Sequence, residues 1–300
     1  MKLVMVEGEK LGVLRDDRTV VDVSVAVKDL PSYPYGQRMK EVLANWDQVK
    51  ADVEREAARG TGVPIEAVRF LAPVPKPEKI FCVGINYWEY PTRMELSMMD
   101  AFQKNSECAS APDGEILLPP YHDLALQASK FHPEPELAFV IGKTARFVNQ
   151  NNAMDYVFGY MQSSDFSLRR KNPPQYGNML TAKSCEGFFP CGPALVTKDE
   201  VPDPYVLDIR LDVNGSKSGY NTRDMQHHVP EVVEFLSKVT TLRPGDCISL
   251  GNHHHGLQTV MNKDRVTISI DKMGPPLRFT IKDPLEREFA REMGMATPPR

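Results

Sequence analysis

The stretch that decides the fold reads Glu134-Pro-Glu-Leu-Ala-Phe-Val-Ile-Gly142. Two acidic residues, separated by a proline, precede a continuous apolar run that a glycine ends. A short apolar run bounded in this way predicts a buried β-strand over 137–141. Pro135 lacks a backbone N–H and cannot donate to a central ladder, which favours a position at a sheet edge or at the start of the strand.

Glu134 and Glu136 are two residues apart, so on an extended chain their side chains project to the same face. Two carboxylates at one point repel each other unless a cation lies between them. Oxygen ligands without Cys or His favour a hard cation, with Mg²⁺ first and Mn²⁺ or Ca²⁺ as alternatives. Taken alone, the pair is also typical of a solvated strand end.

Outward from this strand, the periodicity predicts a β-rich α+β fold. Further strands are expected at 80–83, 156–161, 207–213, 247–250, 266–270 and 277–281. Helices are expected at 38–58, at 230–239 after Pro230, and in the charged tail at 285–293. Pro73, Pro75 and Pro77 form a stiff segment, which divides the chain into a small α+β N-terminal domain, residues 1–72, and a larger domain, residues 73–300.

Composition excludes several classes of partner. The chain has 300 residues, a formal net charge of -4 and a pI near 6.0, which indicates neither a nucleic-acid nor an anionic-membrane partner. No stretch approaches the ~20 apolar residues that span a bilayer. The five cysteines are scattered and form no C-x-x-C pair, which favours reduced thiols and a cytoplasmic location.

Four further motifs follow the first one in a fixed order. They are Gly159-Tyr-Met-Gln-Ser-Ser-Asp165-Phe-Ser167-Leu-Arg169, Ala182-Lys183-Ser184 with Pro190-Cys-Gly192-Pro193, Val213-Asn-Gly215 with Asn221-Thr222-Arg-Asp-Met225, and Leu242-Arg-Pro-Gly245-Asp246. In sequence and spacing, all five resemble the fumarylacetoacetate hydrolase superfamily from about residue 80 to residue 282. That superfamily includes acylpyruvases, oxaloacetate decarboxylases and 2-hydroxy-dienedioate isomerases.

The resemblance implies a mixed β-roll catalytic domain and a homodimer. It implies metal ligation by Glu134, Glu136 and Asp165. Lys183 would be a catalytic residue. Both Lys183 and Arg169 would face the carboxylate or enolate oxygens of a small keto-acid substrate. The remaining substrate-binding residues implied are Tyr87, Asn221 and Thr222.

The sequence departs from the superfamily pattern at the catalytic dyad. Its hydrolases carry N-Y-x-x-H-x-x-E, but Tyr90 and Arg93 occupy the His and Glu positions here. A phenol is a poor base at neutral pH. Where the family has T-G-T-P-x-G, this chain has Leu-Gly-Asn-His-His-His-Gly at 250–256. We expect His253 to replace the missing base. Alternatively, the histidines of this segment cap loops or lie at a subunit interface. A further alternative is that His253 and His255 bind zinc.

The leading expectation is a metal-dependent hydrolase that cleaves a C–C bond in a diketo acid or acylpyruvate-type substrate during carbon catabolism. A rival is a decarboxylase, tautomerase or dehydratase of a 2-keto acid that works through a metal-bound enolate, because such relatives need no His–Glu dyad. A third alternative is a non-catalytic descendant that keeps the pocket for binding a metal or another ligand.

Overall fold

The central feature of the fold is a ten-stranded mixed sheet. A computed structural model describes residues 1–31, 36–89, 95–120, 128–170 and 179–291. Within them, the strands of this sheet lie in the order β4 (Val63–Pro64), β3 (Thr19–Asp22), β2 (Lys10–Arg15), β1 (Lys2–Val6), β14 (Ala194–Thr197), β11 (Val157–Ser164), β10 (Pro135–Ile141), β17 (Cys247–Ser249), β5 (Ile80–Gly84) and β6 (Asp100–Lys104).

A second sheet packs against the first. Its order is β16 (Ser216–Asn221), β15 (Asp208–Val213), β18 (Arg265–Ile270), β19 (Leu277–Lys282) and β8 (Gly114–Leu117). Two short ladders pair β12 (Ser167–Arg170) with β9 (Ala128–His132), and β13 (Phe189–Pro190) with β7 (Ala109–Ser110). The β-rich α+β class predicted from the sequence is therefore confirmed.

Strand β10 holds the acidic motif, and it lies in the middle of the large sheet with every residue buried. It pairs antiparallel with β11, so that Glu136 lies opposite Ser163. The start of β10 therefore meets the end of β11, and the backbone N–H of Asp165 donates to the carbonyl of Glu134 over 3.0 Å. Pro135 occupies the first position of the strand, as its missing N–H predicts.

Two apolar cores lie on opposite faces of the large sheet. Leu137, Phe139 and Ile141 belong to the core shared with the second sheet. Ala138 and Val140 belong to the core that includes residues of the N-terminal strands and helices. The alternation follows from the two-residue period of a strand, and burial on both faces explains why the run is continuously apolar.

Strands β5 and β17 are parallel neighbours, with Ile80 opposite Cys247 and Cys82 opposite Ser249. Their carboxyl ends therefore meet at one edge of the sheet. The segments that follow them, 85–89 and 250–254, leave that edge together, although more than 160 residues separate them along the chain.

The N-terminal segment joins the same sheet, because β1 pairs antiparallel with β14. The division between residues 72 and 73 stays a prediction. The helix predicted at 38–58 is two helices, α1 (Arg38–Ala44) and α2 (Trp46–Arg59). They separate at Asn45, whose side-chain amide donates to the carbonyl of Glu41 over 2.9 Å. Helix α3 (Met179–Lys183) ends at the predicted catalytic lysine, and α4 (Val229–Val239) confirms the prediction around Pro230.

The helix predicted for the tail is wrong over 285–291, where the structure has no helix. Its two arginines bond carboxylates that precede the segment, one of them 27 residues away. Arg291 bonds Asp264 at 2.9 Å from two nitrogens, and Arg287 bonds Asp283 at 2.8 Å. Residues 292 and 293 of the predicted helix lie outside the described residues.

Close approach of β11 to β14 makes Gly159 a sensitive position. A Cβ there would lie 2.1 Å from the carbonyl oxygen of Val196, so the strands would have to separate. We expect Gly159→Ala to lower the free energy of unfolding by about 2–3 kcal/mol, as measured by urea denaturation.

Gly84→Ala is the matched control, because a Cβ at Gly84 meets no atom within 4 Å. Its effect on unfolding should stay within about 0.5 kcal/mol. Equal stabilities for the two variants would contradict the tight β11–β14 packing.

Candidate active site

Three acidic side chains converge where β10 begins and β11 ends. Glu134, Glu136 and Asp165 are buried, and each offers a carboxylate oxygen within 4.8 Å of the other two. The pairing of β10 with β11 positions all three, since Glu134 and Glu136 flank Pro135 and Asp165 follows the last residue of β11. The structure thus brings together the three metal ligands expected from the sequence.

Three cationic side chains surround two of these carboxylates. The ammonium of Lys183 bridges Glu134 and Asp165, with Nζ–O distances of 2.8 and 2.6 Å. Lys104 donates to the other oxygen of Asp165 at 2.5 Å, and Arg169 donates to Glu134 at 3.0 Å. Glu134 and Asp165 thus have the oppositely charged partners that a buried carboxylate requires.

Glu136 has a different environment among the described residues. Its hydrogen bonds come from neutral donors: the Ser249 hydroxyl at 2.6 Å, the Gly251 backbone N–H at 2.9 Å and the Asn252 amide at 3.1 Å. The Asn252 amide also donates to Glu134 at 2.9 Å, so it ties the two glutamates together.

These environments push the pKa values of the two glutamates apart. Burial, followed by the charges of Asp165 and Glu134, raises the pKa of Glu136 to about 8. Burial also acts to raise the pKa of Glu134, but Lys183 and Arg169 outweigh it and lower that pKa below its usual range. Burial alone would lower the pKa of Lys183, yet the nearby carboxylates raise it. The ammonium form of Lys183 is therefore favoured, which suits charge stabilisation better than proton abstraction.

This donor set fits a divalent cation. Three carboxylate oxygens within 4.8 Å of one another match the ~4–5 Å across an ion whose bonds to oxygen are ~2.0–2.6 Å long. Glu136 is the carboxylate that lacks a bonded cation in the described contacts, and a divalent ion would stabilise its charged form. Glu134, Glu136 and Asp165 would hold such an ion.

Glu134, Glu136 and Asp165, called the acidic triad from here on, lie at one side of a cavity of about 340 Å³, a size typical of small-molecule sites. Arg169, Lys183 and His254 also line it, whereas an apolar wall is formed by Val83, Ile85, Met98, Phe102 and Met179. A larger cavity, of about 630 Å³, lies elsewhere and is lined by none of the triad residues. The smaller cavity is the candidate site because it holds the convergent charged groups.

Three residues predicted to bind substrate lie away from this cavity. Tyr87 is fully buried, and its ring packs edge-on against Tyr220 at 5.0 Å. The Asn221 amide donates to Asp208 at 2.7 Å, and the Thr222 hydroxyl accepts from the backbone N–H of Leu207 at 2.8 Å. These contacts give the three residues a structural role, and their contact with substrate stays a prediction.

The predicted base, His253, is also fully buried and does not line the cavity. Its Nδ1 accepts a bond from the backbone N–H of His255 at 3.3 Å, which caps the 3₁₀ turn at 254–256. The next residue, His254, lines the cavity instead. The catalytic role of His253 stays a prediction, while Tyr90 and Arg93, which replace the expected dyad, lie outside the described residues.

Sequence reasoning missed Lys104, Asn252 and Glu89 in this region. Lys104 ends β6 and is buried against Asp165, but an isolated lysine carries no signal of such a role. Asn252 and His254 belong to the segment 250–256 that departs from the superfamily pattern, and this departure was the available signal. Glu89 bonds His254 at 2.6 Å, a contact that follows from strand pairing and not from spacing.

The fold and the buried acidic site together define a class of enzymes. Residues 79–282 match the family described as fumarylacetoacetate (FAA) hydrolase, C-terminal. The chain therefore belongs to the fumarylacetoacetate hydrolase family, as its motifs predicted.

Several individual relatives are similar to this chain. Oxaloacetate tautomerase FAHD2A, mitochondrial, of Bos taurus is 34% identical over 238 residues, which cover 77% of this chain and 72% of the relative. Maleylpyruvate hydrolase of Aquipseudomonas alcaligenes is 32% identical over 292 residues, covering 91% and 97%.

Among solved structures, maleylpyruvate hydrolase from Sphingobium sp. SYK-6, in complex with manganese(II) ion and pyruvate, superimposes with a TM-score of 0.82 at 29% identity. The match covers 94% of this chain and 99% of that one. Together with the buried triad, this likeness supports binding of a divalent metal. In the described part of the chain, no helix has the length and apolar character needed to cross a membrane.

Metal binding should release a proton from Glu136. With its pKa raised to about 8 in the metal-free protein, Glu136 is protonated at pH 6.5 and must lose its proton to become a ligand. At pH 9 it is already ionised. Calorimetric titration with Mn²⁺ in buffers of different ionisation enthalpy should show close to one proton released at pH 6.5 and far less at pH 9, together with tighter binding at pH 9. Equal release at both pH values would contradict this assignment.

Proposed function

We propose that this protein is a divalent-metal-dependent hydrolase that cleaves the C–C bond of an acylpyruvate-type diketo acid. The observation that carries the proposal is the buried triad of Glu134, Glu136 and Asp165. It opens onto a cavity that Lys183 and Arg169 also line. A substrate with two keto oxygens and a carboxylate matches such a site, because each of its oxygens meets a positive charge.

A divalent ion held by the triad would supply Lewis-acid stabilisation of negative charge on the keto oxygens. Lys183 and Arg169 line the cavity and contact Glu134, so their positive charges lie beside the position that the ion would occupy. Arg169 presents a planar guanidinium suited to a carboxylate, and the Lys183 ammonium offers a point charge to an oxygen of the enolate. The apolar wall, including Val83 and Phe102, limits the water around the substrate.

The reaction consumes one water molecule. The water oxygen bonds to the distal carbonyl carbon, and the bond between that carbon and the adjacent methylene breaks. The electron pair stays with the methylene, which takes up a proton and leaves as the methyl group of pyruvate. The distal fragment leaves as a carboxylic acid, so atoms and charge balance.

The relatives support this choice of reaction. The maleylpyruvate hydrolases match this chain over nearly the whole length of both proteins. The Sphingobium enzyme is described in complex with manganese(II) and pyruvate, and pyruvate is the fragment that cleavage of an acylpyruvate releases.

We further propose Mg²⁺ as the physiological ion, with Mn²⁺ or Ca²⁺ as alternatives, since all three prefer oxygen ligands. The homodimer implied by the sequence resemblance and the cytoplasmic location favoured by scattered, unpaired cysteines complete the proposal. The substrate belongs to carbon catabolism, as the sequence resemblance implies, and no nucleic-acid or membrane partner is proposed.

A second candidate function is tautomerisation of a 2-keto acid such as oxaloacetate. The likeness to the Bos taurus oxaloacetate tautomerase, at 34% identity, favours it specifically. The same triad and cations would stabilise the enolate, and no water would be consumed. Decarboxylation would instead release CO₂, so product analysis separates the three reactions.

The proposed hydrolysis is tested with an acylpyruvate, Mg²⁺ or Mn²⁺, and H₂¹⁸O. We expect one ¹⁸O atom in the released carboxylic acid, seen by mass spectrometry. Glu134→Gln and Asp165→Asn should lower kcat by about 10²-fold or more and weaken Mn²⁺ binding, because each removes an anionic ligand.

Glu115→Gln is the matched control: it removes a carboxylate of the same kind that is half-exposed and paired with Lys282, outside the cavity. Its kcat and Mn²⁺ affinity should equal those of the wild-type protein. Turnover of substrate without ¹⁸O in the product would exclude hydrolysis and leave the tautomerase or decarboxylase as the function.

A further inference from the structure

A histidine and a glutamate form a partly buried pair at the edge of the cavity. Nδ1 of His254 lies 2.6 Å from Oε1 of Glu89. The same oxygen accepts the backbone N–H of His254 over 3.0 Å. The Glu89 side chain is 6% exposed and the His254 side chain 32%, so the carboxylate is enclosed while the imidazole reaches solvent-accessible space.

The sheet brings these two residues together. Glu89 lies five residues beyond the end of β5, and His254 lies five residues beyond the end of β17. Because β5 and β17 are parallel neighbours, the two segments leave the sheet at the same edge. The backbone N–H of Gly251 bonds Glu136 at 2.9 Å, which anchors the second segment directly to the triad.

The pair has the geometry of a general base and its orienting carboxylate. An ionised Glu89 would accept the Nδ1–H of His254, and this would fix the tautomer and leave the lone pair on Nε2. His254 lines the cavity beside Glu134, Glu136 and Asp165. A proton removed by Nε2 would therefore come from a group inside the cavity.

We propose that His254 is the base that activates the attacking water and that Glu89 is its positioning residue. This inference rests on the proposed hydrolase function. Hydrolases of the superfamily take their His and Glu from one short motif, and those positions are Tyr90 and Arg93 here. In this chain, two loops at the ends of neighbouring strands would supply the dyad instead, with the glutamate first in the sequence.

Each proton in the proposed step has a destination. Nε2 takes one proton from water as the water oxygen bonds to the distal carbonyl carbon. When the C–C bond breaks, the electron pair remains on the methylene carbon of the pyruvate fragment. The proton on Nε2 returns to that carbon, and the imidazole becomes neutral again.

The main test compares His254→Asn with His255→Asn. His255 belongs to the same 3₁₀ turn but does not line the cavity, so its variant controls for disturbance of the loop. We expect His254→Asn to lower kcat for acylpyruvate hydrolysis by about 10²–10⁴-fold. KM and the Mn²⁺ affinity should stay close to wild-type values, and exchange of the substrate methylene hydrogens with D₂O should continue. His255→Asn should match the wild type in every measurement.

Two further measurements guard against a purely structural effect. Added imidazole should restore part of the kcat of His254→Ala, because the cavity left by the side chain admits a free base. Glu89→Gln should lower kcat about 10-fold or more and move the Nδ1–H proton resonance of His254 upfield, since the acceptor loses its charge. The His255→Asn spectrum should keep that resonance in place.

The outcomes separate this inference from the proposed function. Incorporation of ¹⁸O by the wild type together with normal kcat in His254→Asn would overturn the dyad and leave the hydrolase function intact. A kcat loss confined to His253→Asn would overturn it as well. Absence of ¹⁸O from the wild-type product would overturn the hydrolase function, and with it the activation of water by His254.

Discussion

The structure depends on holding three carboxylates together inside a β-sheet. Like charges within 4.8 Å of one another, removed from water, strongly disfavour the folded state unless positive charge compensates them. Lys183, bridging Glu134 and Asp165, is the central element of that compensation. The buried ammonium groups of Lys104 and Lys183 therefore lie beside these carboxylates, at the position where a metal and an anionic substrate would be bound.

Strand order determines what surrounds this point. Strand β10 carries Glu136 and follows Glu134 directly. It lies between β11, which ends next to Asp165, and β17, which carries Ser249. The next strand, β5, brings its own loop to the same edge. Glu136 is fixed by backbone pairing near the centre of the sheet, where shifting by one residue would turn every side chain to the other face. Glu134 and Asp165 lie directly beyond the ends of β10 and β11, where the backbone N–H of Asp165 donates to the carbonyl of Glu134.

Much of this arrangement could be predicted from the sequence. The apolar run at 137–141 predicted β10, the Glu134/Glu136 spacing predicted two converging carboxylates, and the family motifs supplied Asp165 and Lys183. These signals are local or belong to recurrent motifs. The helix predicted for the charged tail failed because Arg291 bonds Asp264, which lies 27 residues earlier in the sequence, and helical periodicity does not represent such a contact.

The contacts that could not be predicted are those made by pairing of distant strands. Glu89 and His254 are 165 residues apart, and no spacing rule connects them. Lys104 reaches Asp165 across 61 residues from β6, at the edge of the sheet. In both cases the sequence shows a residue type that is common on protein surfaces. Its burial and its partner follow only from the order of strands, which a single sequence does not specify.

Hydrolysis and tautomerisation place the same demand on the triad, because both pass through negative charge on the keto oxygens. They differ in whether a base positions and deprotonates water. In this fold the three carboxylates lie at the start of β10 and just beyond the end of β11, whereas the candidate base and its carboxylate lie on segments beyond β5 and β17. Under the proposed dyad, substitution at Glu89 and His254 would remove the base for water, while Gly251 and Asn252, which bond the two glutamates, stay in place. This is a physical reason for one scaffold to resemble both a tautomerase and a hydrolase.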